Sequence, residues 1–303
     1  MARLAERLAA AANPDGGWPY YAGRASRLEP TCWALLALTA DPAAPPVTLA
    51  AHLEFLRSTQ GAAGLLADPG TGVPNLAWSG LALLALPALE APDATVDRLG
   101  AGVVAAKGVA LDPDVLLGQD NRLQAWSWMP GTFSWIEPTA LCVLALKRLP
   151  EGRRPGAAGT RIADGEAVLL DRVCPSGGWN YGNASVLGQD LRAYVPTTAL
   201  ALLALQDRAS EPAVGLSLSW LDRHALAERS AMALALAALA LAVHRRPFGH
   251  VLAALDAEDA RTHFLDNAHL LAMAAYAAAI PAHDAAAFRV AGPGASPVRG
   301  GAA

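Results

Sequence analysis

Trp126-Ser-Trp-Met-Pro-Gly-Thr-Phe-Ser-Trp-Ile-Glu-Pro-Thr-Ala-Leu-Cys-Val-Leu-Ala-Leu146 aligns without a gap over Trp18-Pro-Tyr-Tyr-Ala-Gly-Arg-Ala-Ser-Arg-Leu-Glu-Pro-Thr-Cys-Trp-Ala-Leu-Leu-Ala-Leu38. Nine of the 21 positions are identical, among them Trp18/Trp126, Glu29/Glu137, Pro30/Pro138 and Thr31/Thr139. Self-similarity of this kind marks a chain built from structural repeats. A third copy opens at Gly177-Gly-Trp179 and reaches Leu205 through a loop about five residues longer. Weaker copies contain Trp78-Ser-Gly-Leu-Ala-Leu-Leu-Ala-Leu86, Glu228-Arg-Ser-Ala-Met and Asn267-Ala-His-Leu-Leu.

Each copy reads as two helices. Before the loop the pattern is amphipathic, with Leu49, Leu53 and Leu56 on one face and His52, Glu54 and Arg57 turned away. After the loop, Trp33-Ala-Leu-Leu-Ala-Leu38 is apolar on every face and has to be covered all round. Pro30 and Pro138 stand where a first helical residue belongs, since proline's fixed φ suits that place. Outer helices are predicted near 3–12, 47–58, 93–107, 162–173, 211–222 and 248–256, and inner helices near 30–40, 77–87, 137–148, 197–207, 227–243 and 266–279. Six such pairs predict an all-α fold, an (α/α)6 toroid of two concentric layers, over a single domain 1–290. The Gly- and Pro-rich end, 291–303, is expected to be disordered.

Composition narrows the partners. The chain has 303 residues, 53% of them apolar and 17% charged, with a net charge of −4. Mean hydropathy is +0.27. This excludes intrinsic disorder, and the absence of a basic run argues against nucleic acid. The longest apolar run, 231–243, is shorter than the roughly 20 residues a bilayer span needs. Charges at Arg3, Glu6 and Arg7 do not suit a signal peptide, so a cytoplasmic protein is expected. Cys32, Cys142 and Cys174 are odd in number and far apart, which argues against a disulfide framework. Neither a nucleotide-binding loop nor a serine-hydrolase elbow occurs.

The Asp15-Gly-Gly-Trp18, Ser176-Gly-Gly-Trp179 and Glu-Pro-Thr-x-x-Ala-Leu-Leu-Ala-Leu stretches resemble the prenyltransferase and squalene oxidase repeats. Those repeats build the terpenoid cyclase and protein prenyltransferase toroids. The resemblance is strongest over residues 5–210 and extends to bacterial proteins known by these repeats alone. It implies a toroid that acts on, or binds, an isoprenoid or another apolar chain in a central cavity. Two motifs of the family are missing. The Asp-x-Asp-Asp acid of class II cyclases has only Asp112-Pro-Asp114-Val115 as a candidate. The Asp-x-Cys zinc motif is absent, Asp171 and Cys174 being three residues apart, so no metal and no cofactor are expected.

Glu29 and Glu137 each precede the Pro-Thr that opens an inner helix, so both carboxylates belong at one end of the ring. A helix-end interaction with the macrodipole is one reading of them. A pair of catalytic acids is the other, with Asp190 as a third candidate and Glu228 as a possible neighbour. Thr31, Ser79, Thr139, Thr198 and Ser230 share one repeat position and read as helix-start hydroxyls. Tyr20, Trp128, Trp135, Tyr181 and Tyr194 lie in the loops, and His269 in the sixth inner helix; together they are the expected substrate-binding set. Besides the cyclase-like enzyme, two alternatives stand. One is a non-catalytic toroid that binds a lipid, peptide or protein partner. The other is a glycan-active barrel with two opposed carboxylates.

Overall fold

The repeat unit sets the architecture, seen in a computed structural model that describes residues 2–41, 44, 49–89, 93–113 and 118–290. Asp114, Val115 and the expected disordered tail 291–303 lie outside the described residues. Amphipathic outer helices α1 (Ala2–Ala10), α3 (Leu49–Ser58), α5 (Asp93–Ala105), α7 (Ala158–Asp171), α9 (Pro212–His224) and α11 (Gly249–Thr262) alternate along the chain with six apolar ones. The apolar helices are α2 (Leu28–Ala40), α4 (Leu76–Ala85), α6 (Ile136–Arg148), α8 (Val195–Ala204), α10 (Ala231–Val243) and α12 (Ala268–His283). Each apolar helix packs on the next, and α12 packs back on α2, so the inner ring is closed. The outer layer meets across the same seam, where Arg7 of α1 pairs with Asp259 of α11 at 2.9 Å.

Tryptophan ties the two layers together. Trp18, Trp126 and Trp179 are buried, and each indole N–H donates to a carbonyl of its own outer helix: Leu8 at 2.8 Å, Val103 at 2.7 Å and Leu169 at 2.7 Å. The repeat hydroxyl then fastens the loop to the inner helix. Trp18 N–H donates to Thr31 Oγ1 at 2.8 Å and Trp179 N–H to Thr198 Oγ1 at 2.9 Å. Leu66 N–H donates to Ser79 Oγ at 3.0 Å, so Leu66 takes the tryptophan's place in the second repeat. These hydroxyls are loop anchors one turn inside the helix; Ser230, whose Oγ accepts from Ala233 N–H, is a true helix-start cap. The prolines also differ from expectation. Helices α2 and α6 begin at Leu28 and Ile136, which puts Pro30 and Pro138 at the third helical position. That place is equally permissive, because the first four helical N–H groups have no partner within the helix.

Two glycines show how close the layers come. Gly16 has φ +87°, and a Cβ there would lie 2.4 Å from the Ala51 carbonyl oxygen of α3. Gly165, in the middle of α7, faces Trp126 and Val143. The longer fourth loop carries a two-stranded hairpin, β1 (Ser185–Val186) and β2 (Gln189–Asp190), turned by Leu187 and Gly188 at positive φ. No described helix is long and apolar enough to cross a membrane.

Gly165→Ala separates propensity from packing. Helix propensity alone favours alanine by about 1 kcal/mol, yet its Cβ would stand 2.3 Å from Val143 Cγ2 and 2.9 Å from Trp126 Cζ3. The variant is expected to be less stable by about 1–3 kcal/mol in chemical denaturation. A gain in stability would show that α7 is not pressed on α6 as described.

Candidate functional site: the carboxyl pair at the toroid mouth

All six inner helices begin at the same end of the ring, because every repeat enters its inner helix from the loop. Four of these entries are capped from the neighbouring repeat in a recurring way. Leu76 N–H donates to the Trp128 carbonyl at 3.2 Å, Ile136 N–H to that of Tyr181 at 3.0 Å, and Ala268 N–H to that of Tyr20 at 2.9 Å. Tyr20, Trp128 and Tyr181 occupy one repeat position, two residues beyond the loop tryptophan. The same caps therefore hold the aromatic side chains at the mouth. At α8 the acceptor is instead Glu228 Oε1, 2.9 Å from Val195 N–H, which gives Glu228 a capping role.

Glu29 and Glu137 lie in the first turns of α2 and α6. Glu29 is 13% exposed. Its Oε2 accepts a short hydrogen bond from the Tyr20 hydroxyl, and its Oε1 lies 3.2 Å from His269 Nε2. That last contact is outside hydrogen-bonding geometry, so His269 Nε2 has no hydrogen-bond partner. Tyr20 and His269 also meet edge to face, with ring centroids 5.8 Å apart. The sixth repeat thus joins the first at this point, and His269 reaches the acids only because the ring closes.

Electrostatics at the mouth favour neutral forms. Burial pushes the Glu29 carboxyl up to about 7, partly offset by the Tyr20 hydrogen bond. Burial, with the Glu29 charge as a second cause, pushes Glu137 up to about 8. Burial also brings His269 down to about 4. The Tyr20 phenol is raised by its own burial and by Glu29. Glu137 makes no hydrogen bond or ion pair with a described residue. It is a carboxylic acid aimed at no protein partner and sharing a low-polarity site with a second carboxyl.

The loop aromatics pair off around this mouth. Trp128 meets Trp78 edge to face at 5.4 Å, Trp135 stacks on Phe133 at 4.9 Å, and Tyr181 lies against Tyr194 at 5.4 Å. Trp78, from the less similar second copy of the repeat, is a rim residue outside the expected set; its place in the repeat is the signal that could have found it. The Arg192 guanidinium lies over Tyr194, 4.9 Å from the ring centre. Apart from Leu216 on α9, every strongly exposed large apolar residue described lies in a loop at this end, Met129, Leu187, Leu226 and Leu265 included. Asp190 stands apart, exposed on the hairpin and in no described contact with Glu29 or Glu137. Asp120, which shares its Leu-Gly-Gln-Asp context, forms a surface pair with Arg122 at 2.9 Å that lowers its carboxyl to about 2.

Below the mouth the ring is filled. Trp33 of α2 stacks on Phe288 at 5.5 Å, and Tyr276 of α12 meets Phe288 at 5.2 Å. Phe288 belongs to a 3-10 turn, Ala286–Phe288, that touches α2, α4 and α6 and so lies across the far end of the ring. The filled ring therefore leaves no full-length central chamber among the described residues. A cavity of about 570 Å³ lies at the periphery, between the first loop, α3 and the second loop, where Asp15, Phe55 and Asp68 line it. Glu29 and Glu137 do not line that cavity.

No protein-family model and no curated protein sequence matches the chain. Solved structures do match it. The type II terpene cyclase MstE from Scytonema, in complex with geranylgeranyl dihydroxybenzoate, is 14% identical with a TM-score of 0.55, over 92% of this chain and 96% of that one. An endo-1,4-D-glucanase from Vibrio fischeri is 12% identical with a TM-score of 0.59, over 92% and 94%. A protein from Actinoplanes is 18% identical with a TM-score of 0.54, over 86% and 79%. At these identities the likeness shows the fold alone: the chain is an α/α toroid, an architecture that terpene cyclases and glycosidases share.

Proposed function

We propose that the toroid mouth is a Brønsted-acid site for an isoprenoid or similar unsaturated apolar chain. The observation that carries this reading is the unpartnered Glu137 carboxyl beside Glu29 within an aromatic, largely apolar rim. A carboxyl that keeps its proton near neutral pH can serve as a general acid. Glu137 would deliver its proton to an alkene carbon; the π electrons form the new C–H bond and leave a carbocation. Faces of Trp128, Trp135 and Tyr181 suit that positive charge. The Glu29–Glu137 pair, negative once the proton has left, stabilises the cation and takes a proton back, so the product is an isomer of the substrate. Tyr20 donates to Glu29 and favours its charged form, which leaves Glu137 as the better proton carrier.

The test follows from the Scytonema structure, whose ligand supplies a probe. Incubation with geranylgeranyl dihydroxybenzoate is expected to give an isomer of equal mass, resolved by chromatography. Glu137→Gln should lower turnover by about 10²-fold or more, and Glu29→Gln should also abolish it, both with unchanged circular dichroism. Product formation unaltered in both variants removes these residues from the reaction. Saturable binding without conversion would favour the non-catalytic toroid, to which the filled lower ring already lends weight. Cleavage of cello-oligosaccharides would favour the glycan-active alternative.

Protonation also predicts a stability profile. Folded Glu29 and Glu137 hold their protons at pH values where unfolded carboxyls, near 4.5, have released them. The folded state then binds more protons, so stability falls as pH rises from about 4.5 through 8. Depression of His269 acts in the opposite sense, but only below its ordinary 6.5. Between pH 6.5 and 9, Glu137→Gln should therefore lose less Tm than the parent protein. Parallel profiles would mean that Glu137 is ionised like any surface carboxylate.

A further inference from the structure

The opposite end of the ring holds a second, separate pocket. A cavity of about 400 Å³ opens among the C-terminal ends of α2, α4 and α6 and the turn that follows α12. Its walls are apolar, with Leu36, Leu83, Leu84 and Leu149 among them, and it carries Arg148 and His283. A pocket of this size, greasy with a few convergent polar groups, has the make-up of a small-molecule site.

The charges around it are unevenly matched. Lys147 is paired with Glu166 at 2.6 Å and Asp207 at 2.5 Å. Arg289 donates to the Ala242 and Val243 carbonyls at 2.9 Å and pairs with Asp284, which Arg245 also reaches at 3.1 Å. Arg148, like Arg154 beside it, has no carboxylate among the described residues; Arg154 is held by the Lys147 and Leu149 carbonyls, and the described bond of Arg148 goes to the Arg289 carbonyl. Desolvation holds its guanidinium below the usual range. Arg148 itself is exposed at the rim of the pocket, whereas two polar groups beside it are buried. His283 Nε2 lies 3.3 Å from the Tyr276 carbonyl, but His283 Nδ1 has no partner. The Tyr276 hydroxyl, on a ring 4.7 Å from that imidazole, has only the Ala287 backbone N–H facing it, outside full hydrogen-bonding geometry. Unmatched buried polar atoms are uncommon in folded proteins, and each one invites an explanation.

We infer that this foot pocket binds an anionic amphiphile, an acyl or prenyl chain whose single carboxylate or phosphate head rests on Arg148 while the chain lies along the leucine wall. An arginine matches either head group through paired N–H donors. Such binding would supply the missing counter-ion without disturbing the ion pairs already formed around Lys147 and Arg289. The pocket shares no residue with the mouth, and the inference does not depend on acid chemistry there.

Dodecanoate, dodecyl phosphate and dodecan-1-ol are the probes, titrated into the full chain by calorimetry and by methyl NMR of the leucines. Dodecanoate or dodecyl phosphate should bind saturably at one site with shifts at Leu83 and Leu84; the tighter of the two identifies the head group. Arg148→Gln should weaken that binding by about tenfold, the loss of one charge-assisted contact. Dodecan-1-ol should be unaffected by the change. Arg148→Lys, which keeps the charge at a helix end, guards against a folding defect and should retain measurable binding. Leu83→Trp, which fills the cavity, should abolish it. Absence of saturable binding, or equal affinity in the parent and Arg148→Gln proteins with both folded, would overturn the inference.

Discussion

Helices that are apolar on every side cannot face water, and this requirement generates the ring. Within α10 the buried residues run almost without a break from Ala231 to Val243. Each inner helix finds cover from two ring neighbours, from an outer helix and from the filled interior. An open array would leave α2 and α12 each with an uncovered flank. Closure of one on the other removes both. Alanine-rich faces let the helices approach closely, while tryptophans hold the outer layer at a set distance through indole N–H bonds to its carbonyls.

Closure in register has a chemical consequence. Because each repeat enters its inner helix at the same end, equivalent residues of different repeats converge there. Acidic residues lie in the first turns of α2 and α6, as Glu29 and Glu137, and basic ones in the last turn of α6, as Lys147 and Arg148. This is the arrangement the helix macrodipole favours. The two ends of one toroid thus acquire opposite character: a carboxyl-bearing aromatic mouth and a cation-bearing foot under which the Ala286–Phe288 turn is tucked.

Burial then changes what the carboxyls are. On an exposed helix end Glu29 and Glu137 would be ordinary anions stabilised by the dipole. Burial pushes both toward the neutral acid, and the Glu29 charge adds to the effect at Glu137. Desolvation outweighs the dipole here because the helix-end term is worth roughly 0.3–1 kcal/mol at an exposed site, whereas burial of a lone charge costs several times that. Tyr20 offsets part of this for Glu29, and no equivalent hydroxyl serves Glu137. The asymmetry between two residues at one repeat position comes from their surroundings.

Much of this is legible in the sequence. The aligned stretches from Trp18 and Trp126 located the helix pairs, the pattern at 33–38 separated inner from outer helices, and the shared Glu-Pro-Thr put two carboxyls at one end. Local pattern suffices for these because helix amphipathicity and repeat packing act over a few residues. Other features depend on contacts between residues far apart in the chain: His269 beside Glu29, Trp78 against Trp128, Phe288 seated across the ring, and Asp190 left out on a hairpin. No periodicity encodes the degree to which a carboxyl is dried by side chains from another repeat. The order of helices was written in the one-dimensional pattern, but the protonation of the mouth and the surroundings of Arg148 at the foot were decided by the tertiary structure, since solvent exclusion and charge pairing depend on distances that exist only in the closed ring.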